Sequence, residues 1–164
     1  MTLGVTLMSD TIFEYKLNNA WDFPLMSLSI HDSAEDNVKC IVWYATNAPE
    51  DLPINSNYTL EISAIEEIKE IIRSNPSLFE IEEVESPWVL DGFINEFQFS
   101  NGKMTVEIKA YNLSAFRKNP LTIDGNKPVN AKLLIKVYDR IKKILVSHGV
   151  DKRYMRLGID TEIF

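Results

Sequence analysis

A single cysteine, Cys40, is present among 164 residues. One thiol allows no intramolecular disulfide and no zinc site built on several cysteines. It suits a reducing compartment. Histidine is nearly as scarce, with only His31 and His148. No run approaches the 18 apolar residues of a membrane span. The first ten residues contain neither Lys nor Arg, so the charged front of a signal peptide is missing as well. The G-x-S-x-G, H-E-x-x-H, P-loop and G-x-G-x-x-G patterns do not occur. These absences predict a cytoplasmic protein, with no catalytic residue, metal ligand or cofactor that the sequence can name.

Glycine-rich linkers and internal repeats are also lacking, so one domain is expected over residues 1–164. Met8 offers an alternative start, and 1–10 are expected to be disordered or dispensable. Apolar residues make up 45% and charged residues 25% of the chain, with eight Phe, six Tyr and three Trp. A chain of this length buries roughly 70% of its unfolded surface, which is enough for a core without covalent staples.

The alternation Thr11–Leu17 predicts a strand, and Met26, Leu28 and Ile30 alternate with Ser27, Ser29 and His31 in a second. The polar loop 32–37 leads into Val38–Ala45, apolar enough for a central strand, with Cys40 and Trp43 expected in the core. Another strand is expected over Tyr58–Ile62. Ser63 and Glu66 have capping-box spacing. The helix they open places Ile65, Ile68, Ile71 and Ile72 on one side and Glu66, Glu67 and Glu70 on the other, and Asn75-Pro76 stops it.

Asn101-Gly102 predicts a two-residue hairpin turn. In that register Phe99 meets Met104, Phe97 meets Val106, and Glu96 faces Glu107, a repulsive pair. Asn95, alone among apolar neighbours, is expected either near the sheet end or bonded to a buried backbone group. Val129–His148 predicts a second helix, with Leu134, Val137, Tyr138, Ile141, Ile144 and Leu145 on one side. Lys132, Lys136, Arg140 and Lys143 fall within about 80° of one another on the far side. The predicted fold is therefore α+β: an antiparallel sheet of about five to seven strands with two main helices packed on one face.

Charge is divided along the chain. Residues 1–116 hold 19 acidic and 6 basic residues, and residues 117–164 hold 5 and 11, within a net charge of −7. Such asymmetry points to charged partners. The run Glu80–Glu85 reads as an exposed edge strand or turn, and Trp88 beside it reads as a lid on the core or as an aromatic anchor for a partner. Small, acidic, cytoplasmic and motif-free, the chain resembles in kind the bacterial immunity proteins, α+β domains that occlude the active site of a toxin. That resemblance is one of class and is carried by no motif.

The leading expectation is a non-enzymatic domain presenting an acidic surface to a basic protein partner, for example a toxin domain. Glu66, Glu67, Glu70, Glu82, Glu83, Glu85 and Trp88 are its contact residues. Nucleic acid and membrane are not expected partners. The alternatives are a small enzyme or metal-binding protein with a carboxylate-based site, and a homo-oligomer in which the basic helix of one subunit meets the acidic part of another.

Overall fold

Strict apolar alternation in the first half of the chain builds one side of a sheet. The computed structural model describes residues 10–32, 39–44, 52–84, 92–118 and 129–158. The strands are β1 (Thr11–Asn18), β2 (Pro24–His31), β3 (Cys40–Tyr44), β4 (Asn55–Tyr58), β5 (Glu83–Val84), β6 (Ile94–Ser100) and β7 (Thr105–Tyr111). Between β4 and β5 lies helix α1 (Ile62–Arg73); after β7 come the short α2 (Ala115–Lys118) and the long α3 (Val129–Ser147). The strands form one sheet in the order β4-β3-β2-β1-β6-β7-β5. The two main helices lie on one face, so the α+β architecture is the expected one. It departs from the expectation in one strand, because β5 joins β7 parallel and makes the sheet mixed.

Core-facing residues are the in-phase positions of each strand: Phe13, Tyr15 and Leu17 in β1, Met26, Leu28 and Ile30 in β2, Phe97 and Phe99 in β6. Tyr138 of α3 reaches them, with its ring 5.3 Å from Tyr15 and 6.0 Å from Phe97. Such edge-on aromatic pairs add about 0.5–1.5 kcal/mol each beyond area burial. The predicted apolar sides of α1 and α3 are both buried, while Lys132, Lys136, Arg140 and Lys143 are exposed. Gly149 ends α3 with φ +97°, and Val150 N–H donates to the Leu145 carbonyl at 3.1 Å, as in a Schellman stop.

Asn95 is wholly buried and bonds backbone, the second of the two arrangements expected for it. Its Nδ2 donates to the Leu157 carbonyl and to the Tyr15 hydroxyl, both at 2.9 Å, and its Oδ1 accepts the Leu113 amide at 3.1 Å. The Tyr15 hydroxyl in turn donates to the Arg156 carbonyl. One amide side chain thereby ties β1, β6, the chain after β7 and the segment after α3 together.

Four local expectations are corrected. The strand expected over Tyr58–Ile62 is instead Asn55–Tyr58, and Ile62 already belongs to α1. Ser63 is therefore inside the helix and cannot cap it. Glu61 occupies the N-cap without a side-chain cap, and the Ser63 hydroxyl donates to Glu61 Oε2 at 3.4 Å. The β6–β7 register is shifted by two residues, with Phe99 opposite Val106 and Phe97 opposite Ile108. Asn101 causes the shift: its Oδ1 accepts the amides of Lys103 at 2.9 Å and Met104 at 2.7 Å, which widens the loop to four residues. Lastly, Trp43 is only half-buried, on the side of β3 away from Cys40, Val42 and Tyr44.

Candidate functional site

Because both main helices pack on one side, the out-of-phase strand residues line a second side that no described element covers. Register aligns them in rows. One row runs Asn57, Ile41, Ser29, Glu14, Gln98, Glu107 across β4, β3, β2, β1, β6 and β7. The next runs Asn55, Trp43, Ser27, Lys16, Glu96, Lys109 and ends at Glu83 of β5. The face is thus neutral and partly apolar on β2–β4, where Ile41 is 42% exposed. It is charged on β1, β6, β7 and β5.

On the charged half lies an open groove of about 350 Å³, lined by Glu14, Lys16, Glu82, Glu96, Gln98, Glu107 and Lys109 with the edges of Phe97 and Ile108. Carboxylates outnumber ammonium groups four to two. Glu14 and Lys16 form an ion pair at 3.3 Å. The shifted register places Glu96 between Lys16 and Lys109, so the expected Glu96–Glu107 repulsion does not arise; Glu107 lies opposite Gln98. The Lys109 ammonium is 5.7 Å from the Tyr111 ring centre.

The expected contact residues fall in two places. Glu82 lines this groove, and Glu83 stands opposite Lys109 on the sheet edge, where only Glu83–Val84 of the acidic run form an edge strand and Glu80 ends the short helix Pro76–Glu80. Glu66, Glu67 and Glu70 are exposed on α1, in the helix layer. There Glu66 pairs with Lys69 at 3.3 Å, and Lys69 also donates to Asp32 at 2.8 Å. The Asp32 bond holds the Lys69 ammonium above its ordinary pKa. Bonds from the Ser74 hydroxyl and the Arg73 guanidinium hold the Glu70 carboxyl below its ordinary pKa. Glu85 and Trp88 lie outside the described residues. Glu14, Glu96 and Glu107 were not among the expected contact residues because they are spread over three strands; their one signal was the recurrence of charged residues among the out-of-phase positions of β1, β6 and β7.

Two other features bear on chemistry. The Cys40 thiol is fully buried and pushed up to about 12 by burial, which makes it inert at neutral pH. His31 is bonded by Ser29 Oγ at 2.8 Å and Thr11 Oγ1 at 3.1 Å, while Cys40 is paired with Ile30. Among the described residues no three or more His, Cys, Asp or Glu side chains are grouped so as to hold a metal ion, and no helix is long and apolar enough to cross a membrane.

Two large aromatic side chains stand in solvent at the β1–β2 turn: Trp21 is 81% and Phe23 65% exposed. Asn19 holds them there, its Oδ1 accepting the Trp21 amide at 2.9 Å and the Phe23 amide at 3.0 Å. No protein-family model matches the chain, and no curated protein is similar to it in sequence.

Proposed function

We propose that the protein is a non-enzymatic binding domain whose open sheet face receives a basic protein partner, in the manner of an immunity-type inhibitor of a toxin. The observation that carries this reading is the groove on that face, where Glu14, Glu82, Glu96 and Glu107 outnumber Lys16 and Lys109. A face of this kind offers two things a partner uses. Its excess carboxylates attract a basic surface over about a Debye length and raise the association rate. Beside them Ile41 and Trp43 give apolar contact, of the aromatic kind that holds a complex once formed. Lys16 and Lys109 set the register, because a partner must place its own carboxylates, or nothing charged, over them.

The test is capture from the native cell on immobilised protein, run beside the variant Glu82→Lys, Glu83→Lys, Glu107→Lys. A basic protein is expected on the wild type and not on the variant, with association to the purified partner slowed at least about tenfold and its salt dependence flattened. Equal capture and equal rates on both would remove the reading.

A further inference from the structure

The helix layer carries its own pair of charged stripes, separate from the sheet face. Lys132, Lys136, Arg140 and Lys143 are exposed along α3, spanning about 16 Å of helix. None of the four side chains makes an ion pair or hydrogen bond with another described residue. Glu66, Glu67 and Glu70 stand exposed on the neighbouring α1. Between the helices runs an open groove of about 330 Å³, lined by Glu67 and Ile71 of α1 and by Arg140, Lys143, Ile144 and Ser147 of α3. A stripe of three carboxylates, of which Glu66 and Glu70 are paired with Lys69 and Arg73 of the same helix and Glu67 lines the groove, therefore faces a basic stripe across a single groove.

We infer that this surface pairs with a second copy of the chain, about a two-fold axis running along the groove. Rotation about such an axis lays α1 of each copy on α3 of the other. Both acidic stripes then meet basic stripes, and the contact closes on itself as an isologous dimer. A two-fold axis across the helices would set like charges together, so the stripes select one arrangement. Exposed Val146 on α3 and Ile62 on α1 add apolar area to the same layer. The face is two helices wide and about 18 Å long, the length of the shorter helix α1. Its buried area falls short of the roughly 800 Å² per partner of a standard interface. The dimer is accordingly weak, reversible and salt-sensitive.

The experiment is sedimentation velocity of the full chain over a concentration series, in about 0.1 M and about 1 M sodium chloride, where the screening length shrinks from about 10 Å to 3 Å. A concentration-dependent dimer is expected, at least tenfold weaker in high salt. Two variants follow: Glu66→Lys, Glu67→Lys, Glu70→Lys on α1, and Lys136→Glu, Arg140→Glu, Lys143→Glu on α3. Each alone presents two like-charged stripes and is expected to be monomeric. Mixed one to one, they present opposite signs everywhere and are expected to form a heterodimer at least as tight as the wild type. That rescue also shows that both variants are folded. A wild type that stays monomeric to millimolar concentration overturns the inference, as does a dimer that either variant leaves intact. A monomer retained on heparin at 0.1 M salt through the α3 stripe overturns it in favour of a polyanion partner. Neither variant touches the sheet face, so this result and the fate of the proposed function are independent.

Discussion

Replacing Asn95 by Leu removes the polar atoms that join four parts of the fold while keeping the branched outline of the side chain, with methyl groups bulkier than the amide O and N they replace. The Leu113 amide loses its acceptor and the Leu157 carbonyl loses a donor. A buried amide left without a partner costs about 1–3 kcal/mol, and each net hydrogen bond lost about 0.5–1.5 kcal/mol. Tyr15 keeps its bond to the Arg156 carbonyl, so the Tyr15 contact adds little. The expected loss is about 2–4 kcal/mol, a large part of the roughly 5–15 kcal/mol that holds a domain folded. It should appear as a fall in the urea midpoint at unchanged slope. Thermal unfolding should drop by about 2–4 °C per kcal/mol for a chain of this size.

Asn95→Asp separates hydrogen bonding from volume. Its carboxylate still accepts from Leu113 but, ionised, cannot donate to Leu157, and burial raises its pKa. A raised folded value means that its stability is present at acidic pH and lost as the pH rises through that value. Relative to wild type, Asn95→Asp should thus be closest near pH ~4 and worst at neutral pH. Losses below about 1 kcal/mol in both variants, or wild-type hydrogen exchange at Leu113, would refute the hub.

Two further outcomes follow from packing. The Cys40 thiol should resist a disulfide reagent at neutral pH in the native protein and react fully on denaturation. Its value is raised from 9.0 to about 12, so its contribution is intact below 9.0 and is lost as the pH rises through that window, at about 1.4 kcal/mol per pH unit. Cys40→Ala, roughly 1 kcal/mol less stable at neutral pH for lost packing, should overtake wild type in urea titrations above about pH 10; a constant difference would contradict this. Gly92→Ala puts a Cβ 1.5 Å from Asn112 Oδ1, the atom that accepts the Phe93 amide at 2.8 Å. A loss of at least about 2 kcal/mol is expected. Adding Asn112→Gly, which keeps the positive φ of 51° without a side chain, should restore part of it in the same unfolding assay.

Strand phase was legible in the sequence, and strand register was not. Periodicity in Phe93–Tyr111 assigns each residue to a face, and a slip of two leaves every assignment intact. What decides between the two registers is the Asn101 side chain taking two loop amides, a choice that the dipeptide Asn-Gly does not announce. Trp43 was misplaced for a related reason. A continuous apolar run reads as a strand buried on both faces, but this sheet is covered on one, so Ile41 and Trp43 turn outward. The burial of Val150 and of Tyr154, Met155, Arg156 and Leu157 had no pattern to show. It is set by Tyr15 and Asn95, which lie far away along the chain.

Linear proximity also merged two surfaces that the fold separates. Glu66 through Glu85 reads as one acidic stretch, yet α1 lies in the helix layer while Glu82 and Glu83 belong to the open sheet side and its edge. The same separation divides the basic residues: Lys16 and Lys109 sit within the sheet groove, whereas the α3 stripe flanks Glu67. A net charge of −7 therefore describes neither surface. The sheet groove has four carboxylates to two ammonium groups, and the groove of the helix layer is flanked by both signs. Raising the salt should weaken both contacts, but a charge reversal confined to one surface should leave the other at wild-type strength. Coupling between them, seen as α1 variants that slow capture of a basic partner, would mean that one continuous acidic surface had been divided wrongly.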